Sequence, residues 1–192
     1  MNSADTDIDL HKAIRTLKEG GIILYPTDTV WGIGCIATDP SAIGRIYRIK
    51  QRDDSKALIT LMADTRMLET YIDDIPQQAI RMVEETASPL TVIYNNVHGV
   101  ASNLTAADGS IAVRIPHNDF CRQLCRGVDA PVVSTSANIS GQPTPRTFAE
   151  IPEYIKDTVD YVCLTGRSDD QPHKPSSIVR ITADGTVETL RK

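Results

Sequence analysis

The stretch Ile22-Ile23-Leu24-Tyr25-Pro26-Thr27-Asp28-Thr29-Val30-Trp31-Gly32 passes from four consecutive apolar residues to a proline and then to a polar turn. An apolar run without alternation suits a strand covered on both faces, and Pro26, lacking an N–H, stops it. The segment Thr27 to Gly32 then turns away from the strand end. Upstream, Leu10, Ala13, Ile14 and Leu17 form the i, i+3, i+4, i+7 stripe of a helix over residues 8 to 19, which Gly20-Gly21 ends. A helix delivering a buried strand is the opening unit of an α/β protein.

Downstream the alternation continues. Asp39-Pro40 caps a helix with Ile43, Ile46 and Tyr47 inward. Strands are expected at Leu58 to Met62, Leu90 to Tyr94, Ile111 to Ile115 and Val132 to Thr135. Helices are expected from Pro76 over residues 76 to 86, and from Asp119 to Arg126, closed by Gly127. Thr147-Phe148-Ala149-Glu150 has capping-box spacing and predicts a last short helix. Ser177 to Thr182 and Thr186 to Leu190, around Asp184-Gly185, predict a β-hairpin. Hairpins together with helical crossovers imply a sheet of mixed strand direction, and residues 1 to 192 are expected to form one domain.

Composition narrows the function. The chain has 192 residues, 41% of them hydrophobic, and a formal net charge of −5, which argues against a protein that grips a nucleic-acid backbone over a broad surface. Asp5, Asp7, Asp9, His11 and Lys12 interrupt any secretory or membrane segment at the start, so a cytoplasmic protein with no membrane contact is expected. Cys35, Cys121, Cys125 and Cys163 contain no C-x-x-C pair and read as reduced core residues. His11, His98, His117 and His173 lack metal-ligand spacing, and neither Gly-rich nucleotide loops nor a nucleophile elbow occurs.

Four constellations could carry chemistry. Arg45, Arg48, Lys50, Arg52 and Lys56 crowd into twelve residues. Arg52 offers a planar fork and Lys50 and Lys56 mobile charges, a set suited to a polyphosphate, although a solvated helix end would also place them there. The loop Ser134-Thr135-Ser136-Ala137-Asn138-Ile139-Ser140-Gly141-Gln142-Pro143-Thr144 leaves a strand end, where ligands gather in α/β sheets; turn chemistry alone explains the same residues. Arg114 interrupts a buried strand and needs an anion, either a substrate carboxylate or an internal Asp or Glu. Thr27, Asp28 and Thr29 either bind a small hydroxylated ligand or shape a turn.

Taken together, Tyr25 to Cys35, Lys50-Gln51-Arg52 with Lys56, Ser88-Pro89-Leu90-Thr91, Ala112 to Pro116, Ser134 to Asn138 and Pro175 to Val179 resemble, in order, the motifs of the YrdC-like threonylcarbamoyl-adenylate synthases. The likeness spans about residues 8 to 191, and the chain resembles the short bacterial form. It implies a twisted mixed sheet flanked by helices around a concave, positively lined cleft. It also implies a nucleotidyltransferase acting on L-threonine, bicarbonate or CO2, and ATP with Mg2+, whose product passes to downstream tRNA threonylcarbamoyl-transfer proteins. By position it assigns Thr29, Arg114, Ser134 and Ser176 to threonine, and Lys50, Arg52, Lys56, Ser110, Ser136, Asn138, Thr144 and Arg191 to ATP, with Lys50 and Arg52 catalytic and facing solvent.

Ser88 stands where Gly is usual, Trp31 where Tyr is common, and Leu61 where some relatives carry a substrate-contacting His. The alternatives are a double-stranded RNA or tRNA-binding module without catalysis, against which the net charge counts although a weak tRNA contact at a local basic groove fits, and carbamoyl transfer as in hydrogenase-maturation relatives. Those relatives carry acylphosphatase and zinc-finger segments absent from this sequence.

Overall fold

The computed structural model describes residues 3–51, 58–182 and 185–192. Its elements in chain order are α1 (Ser3–Lys18), β1 (Ile23–Tyr25), β2 (Gly32–Gly34), α2 (Pro40–Lys50), β3 (Ile59–Leu61), α3 (Thr65–Tyr71), α4 (Gln77–Glu85), β4 (Leu90–Tyr94), β5 (Ile111–Arg114), α5 (Asp119–Val128), β6 (Val132–Ser136), α6 (Glu153–Thr158), β7 (Tyr161–Val162), β8 (Ser177–Ile181) and β9 (Val187–Arg191). The strands join in one sheet of order β7-β1-β2-β6-β3-β5-β4-β8-β9. Pairs β1/β7, β3/β5 and β4/β8 are parallel and the rest antiparallel, the mixed arrangement expected.

Local chemistry sets the helix ends. The Asp39 carboxylate accepts N–H bonds from Ser41 at 2.8 Å and Ala42 at 3.1 Å, with Pro40 opening α2 behind it. Asn118 caps α5 by accepting from the Cys121 N–H at 2.9 Å. Gly127 does not close α5 as its sequence suggested. The helix runs on to Val128 and Asp129 takes the left-handed position, while Gly127 is small because a Cβ there would collide with Ile14 of α1.

The Thr147–Glu150 box also resolves differently. Only a three-residue 3-10 turn forms at Phe148–Glu150, and the Glu150 carboxylate accepts from the Arg146 N–H at 2.8 Å rather than capping at Thr147. The α-helix, α6, starts after Pro152. Strands β2 and β7 and helices α3 and α6 were not foreseen from the sequence. Strand β2 holds two glycines in three residues, with no pattern to read. Its glycines are needed because a Cβ at Gly34 would strike the Val133 carbonyl and the Tyr25 ring.

The two sheet faces bury differently. One face, with Ile22, Leu24, Ile33, Val113, Val133, Val92 and Val179, packs under α2, α3 and α4. On the other, α1 and α5 cover Ile23, Tyr25, Leu61 and Val132 through Leu10, Ala13, Leu17, Phe120 and Leu124. Register places Ile59, Arg114, Ser134 and Ser136 on this second face, beyond the reach of α1 and α5, where the apolar pattern gives way to polar residues. All four cysteines are buried and free, and burial pushes their thiols upward. No helix among the described residues is long and apolar enough to cross a membrane.

Candidate active site

The polar part of the second face is a cleft of about 280 Å3. Its walls include Thr29, Trp31, Gly32, Leu58, Ile59, Arg114, Ser134, Thr135, Ser136, Thr144, Pro175, Ser176, Ile178 and Arg191. Seven of the twelve residues singled out in the sequence thus meet at one place: Thr29, Arg114, Ser134, Ser136, Thr144, Ser176 and Arg191. Gly32 keeps the floor open, since a Cβ there would sit 3.0 Å from the Ser134 hydroxyl.

Arg114 ends β5 with its side chain only 4% exposed. Its Nη2 lies 3.3 Å from Asp28 Oδ1 and donates to Thr27 Oγ1 at 3.4 Å. The internal carboxylate left open by the sequence is therefore Asp28, itself fixed by the His117 N–H at 2.9 Å on Oδ2. The Thr27 hydroxyl is a hub, donating to the Val30 carbonyl at 2.8 Å, accepting from the Thr29 N–H at 3.0 Å and lying 2.9 Å from the Thr29 hydroxyl. Arg191 on β9 also lines the cleft and donates to the Ser176 carbonyl at 2.9 Å and to its hydroxyl at 3.4 Å, and Ser176 meets Thr91 at 2.7 Å. Burial, and then the charge of Arg114, hold the Arg191 pKa below its ordinary value.

Lys50 departs from its expected position. It is 2% exposed rather than solvent-facing, and its ammonium donates to the Ser136 carbonyl at 2.5 Å, the Asn138 carbonyl at 2.8 Å and Asn138 Oδ1 at 3.3 Å. In return the Ser140 N–H donates to the Lys50 carbonyl at 2.8 Å. The end of α2 and the loop after β6 are strapped together because that loop turns its carbonyls toward the helix. Asn138 completes the strap through Ile139 and Gln142 carbonyls at 3.1 and 2.7 Å, and Ser136 donates to it at 2.5 Å.

Ser110 does not reach the cleft wall. It precedes β5, four residues before Arg114 and so roughly 13 Å along the strand, and its hydroxyl donates to Asp108 at 2.6 Å. Arg52 and Lys56 lie outside the described residues. Leu61 is fully buried in the apolar cluster beneath α5 and offers the cleft nothing, whereas Trp31 forms a wall and packs against Phe148 with centroids 4.8 Å apart. Ser88 sits in a turn and does not line the cleft, its N–H donating to Thr86 Oγ1 at 3.2 Å.

Sequence reasoning missed the apolar walls Leu58, Ile59 and Ile178. Their signal is strand alternation, visible only once register is known. Among the described residues no group of three or more His, Cys, Asp or Glu could hold a metal ion. The arrangement can anchor a small anion between guanidinium groups and hold a hydroxylated or phosphorylated ligand along the loop.

Comparison with known proteins bears on the family and the fold. The Sua5/YciO/YrdC family model, described as "Telomere recombination", matches residues 15–192. The threonylcarbamoyl-AMP synthase of Idiomarina loihiensis is 36% identical over 162 residues, 83% of this chain and 85% of that protein. P. abyssi Sua5, in its crystal structure complexed with L-threonine, matches 95% of this chain with a TM-score of 0.83 at 26% identity, and this chain spans 53% of its length. E. coli YciO matches 97% of this chain, and 89% of its own, with a TM-score of 0.83 at 27% identity. From the match over residues 15–192 and the shared fold, the chain belongs to the Sua5/YciO/YrdC family.

Proposed function

We propose that this chain is an L-threonylcarbamoyladenylate synthase, forming threonylcarbamoyl-AMP and pyrophosphate from L-threonine, bicarbonate or CO2, and ATP. The observation that carries the reading is one cleft lined by both a buried guanidinium and the hydroxyl-bearing loop. Relatives named threonylcarbamoyl-AMP synthase across most of the chain support it.

Arg114 receives the threonine carboxylate, with Thr29, Ser134 and Ser176 around the amino acid. Ser136, Thr144 and Arg191 serve the nucleotide. Arg52 and Lys56 are assigned to its phosphates, and Ser110 to a more distant contact, on sequence resemblance alone. Lys50 and Asn138 act as positioning residues, since their polar atoms are spent holding the loop.

The threonine amine adds to CO2 and releases a proton, giving a carbamate. A carbamate oxygen attacks the α-phosphorus of ATP, the bond to the β-phosphate oxygen breaks, and pyrophosphate leaves. No protein nucleophile is required. The cleft contributes alignment of two anions that repel one another, and partial exclusion of water from a labile carbamate and mixed anhydride. Mg2+ would enter on the ATP phosphates. The cleft walls offer hydroxyl and guanidinium groups rather than a carboxylate set, and no metal site is assigned among the described residues.

The product would pass to proteins that transfer the threonylcarbamoyl group to tRNA, in the cytoplasm. The test is pyrophosphate release from ATP with and without L-threonine and bicarbonate. Release that needs all three supports the proposal, and release indifferent to threonine removes it.

A further inference from the structure

Two guanidinium groups, those of Arg114 and Arg191, line one cleft closely enough for the charge of the first to act on the second. Asp28 stands behind Arg114 as a buried counter-charge, its side chain 6% exposed. The pair is incomplete: at 3.3 Å the ions attract without hydrogen-bond alignment. Among the described residues, Asp28 Oδ1 and Arg114 Nε have no hydrogen-bond partner. Asp28 is held from behind by the His117 N–H, so it cannot turn to better the contact without giving up that bond. Among the described residues, Asp28 is the counter-charge that offsets Arg114 at the amino-acid end.

We propose that Asp28 is a positioning and specificity-determining residue, fixing the Arg114 fork and lowering the local charge so that this end accepts a monoanionic carboxylate in preference to a phosphate. The inference rests on the proposed threonine site and deepens it. A carboxylate carries one charge and two coplanar oxygens, which match one guanidinium fork. A phosphate dianion calls for more uncompensated positive charge, and Asp28 offsets that of Arg114. The same charge that orients Arg114 thereby keeps ATP phosphates and released pyrophosphate from occupying the amino-acid end.

Asp28→Asn is the test, because it keeps the shape and an acceptor for the His117 N–H while removing the charge. Titration calorimetry on the purified chain measures L-threonine and inorganic phosphate separately, with no chemistry involved. The expected result is at least a tenfold loss of threonine affinity, a gain of phosphate affinity and unchanged binding of a non-hydrolysable ATP analogue. A merely structural role would weaken all three ligands together and would overturn the proposal, as would an unchanged ratio of threonine to phosphate affinity. If Asp28→Asn does not melt cooperatively, Asp28→Ser is read by the same ratio. Wild-type protein that binds no threonine would refute the parent reading instead, a result distinguishable from wild-type threonine binding that Asp28→Asn leaves intact.

Discussion

Two buried carboxylates in this molecule are treated in opposite ways. Asp9, 1% exposed, accepts from Tyr161 Oη at 2.6 Å, from the Leu164 N–H at 2.9 and 3.0 Å, and from the Thr165 N–H and hydroxyl at 2.8 and 2.6 Å. Asp28, its side chain 6% exposed, has one oxygen that meets Arg114 as an ion pair but takes no hydrogen bond, beside an Arg114 nitrogen, Nε, that donates none. A buried charge with every lone pair matched fixes a chain crossing, here α1 to the segment after β7. An incompletely matched buried pair is costly and persists where a ligand completes it. Lys50 belongs with Asp9: its ammonium is matched by loop carbonyls.

This contrast can be broken by substitution, and the largest effect is expected at the unsatisfied pair. Arg114→Ala should lower kcat/KM for threonine roughly a hundredfold or more, while calorimetry shows nucleotide affinity nearly unchanged. Equal losses for both ligands would place Arg114 with the architectural charges. Next, Lys50→Met should destabilise the fold by about 3 kcal/mol, because buried carbonyls lose their donor, lowering Tm by on the order of 10 °C. A melt identical to wild type would return Lys50 to the solvent-facing role expected from sequence.

Asp9→Asn should cost about 2 kcal/mol and leave threonine KM unchanged. The pH dependence has a definite sign. Burial alone would raise the Asp9 pKa, but hydrogen bonds from Thr165, Tyr161 and the Leu164 and Thr165 N–H groups outweigh it and hold it below its ordinary value. Its stabilisation is complete above the ordinary carboxylate value of ~3.9 and is lost as pH falls through the folded-state value. Thermal melts from pH 6 downward should therefore show a shallower acid decline in Asp9→Asn than in wild type. The smallest effect is expected for Ser88→Gly, outside the cleft lining, within about 0.5 kcal/mol and with no change in threonine KM.

Much of this was legible in the residues. The apolar runs at Ile22–Tyr25, Leu90–Tyr94 and Ile111–Ile115 and the Asp39-Pro40 cap marked their elements because local signal and tertiary environment agree there. Strand β2 was invisible because Gly32 and Gly34 have low strand propensity and are specified by what lies against them. The short pieces β7 and α6 lack the length for a periodic signal.

At the site, the family resemblance pointed to Arg114, Ser134, Ser176 and Arg191, which the structure brings together in one cleft. Sequence could not say that Lys50 turns inward, because that depends on where the carbonyls of a loop 86 residues away point. Nor could it choose Asp28 over other carboxylates as the partner of Arg114, since that pairing spans separate strand ends.

The central claim is that a threonine carboxylate completes the unsatisfied guanidinium in a cleft that activates ATP. Its most direct test compares pyrophosphate release from ATP and bicarbonate with L-threonine and with L-threoninamide, which keeps the amine and hydroxyl but lacks the carboxylate charge. The account predicts release with L-threonine and at least a hundredfold less with the amide at equal concentration. Equal rates with the two, or the same rate with neither, would contradict it.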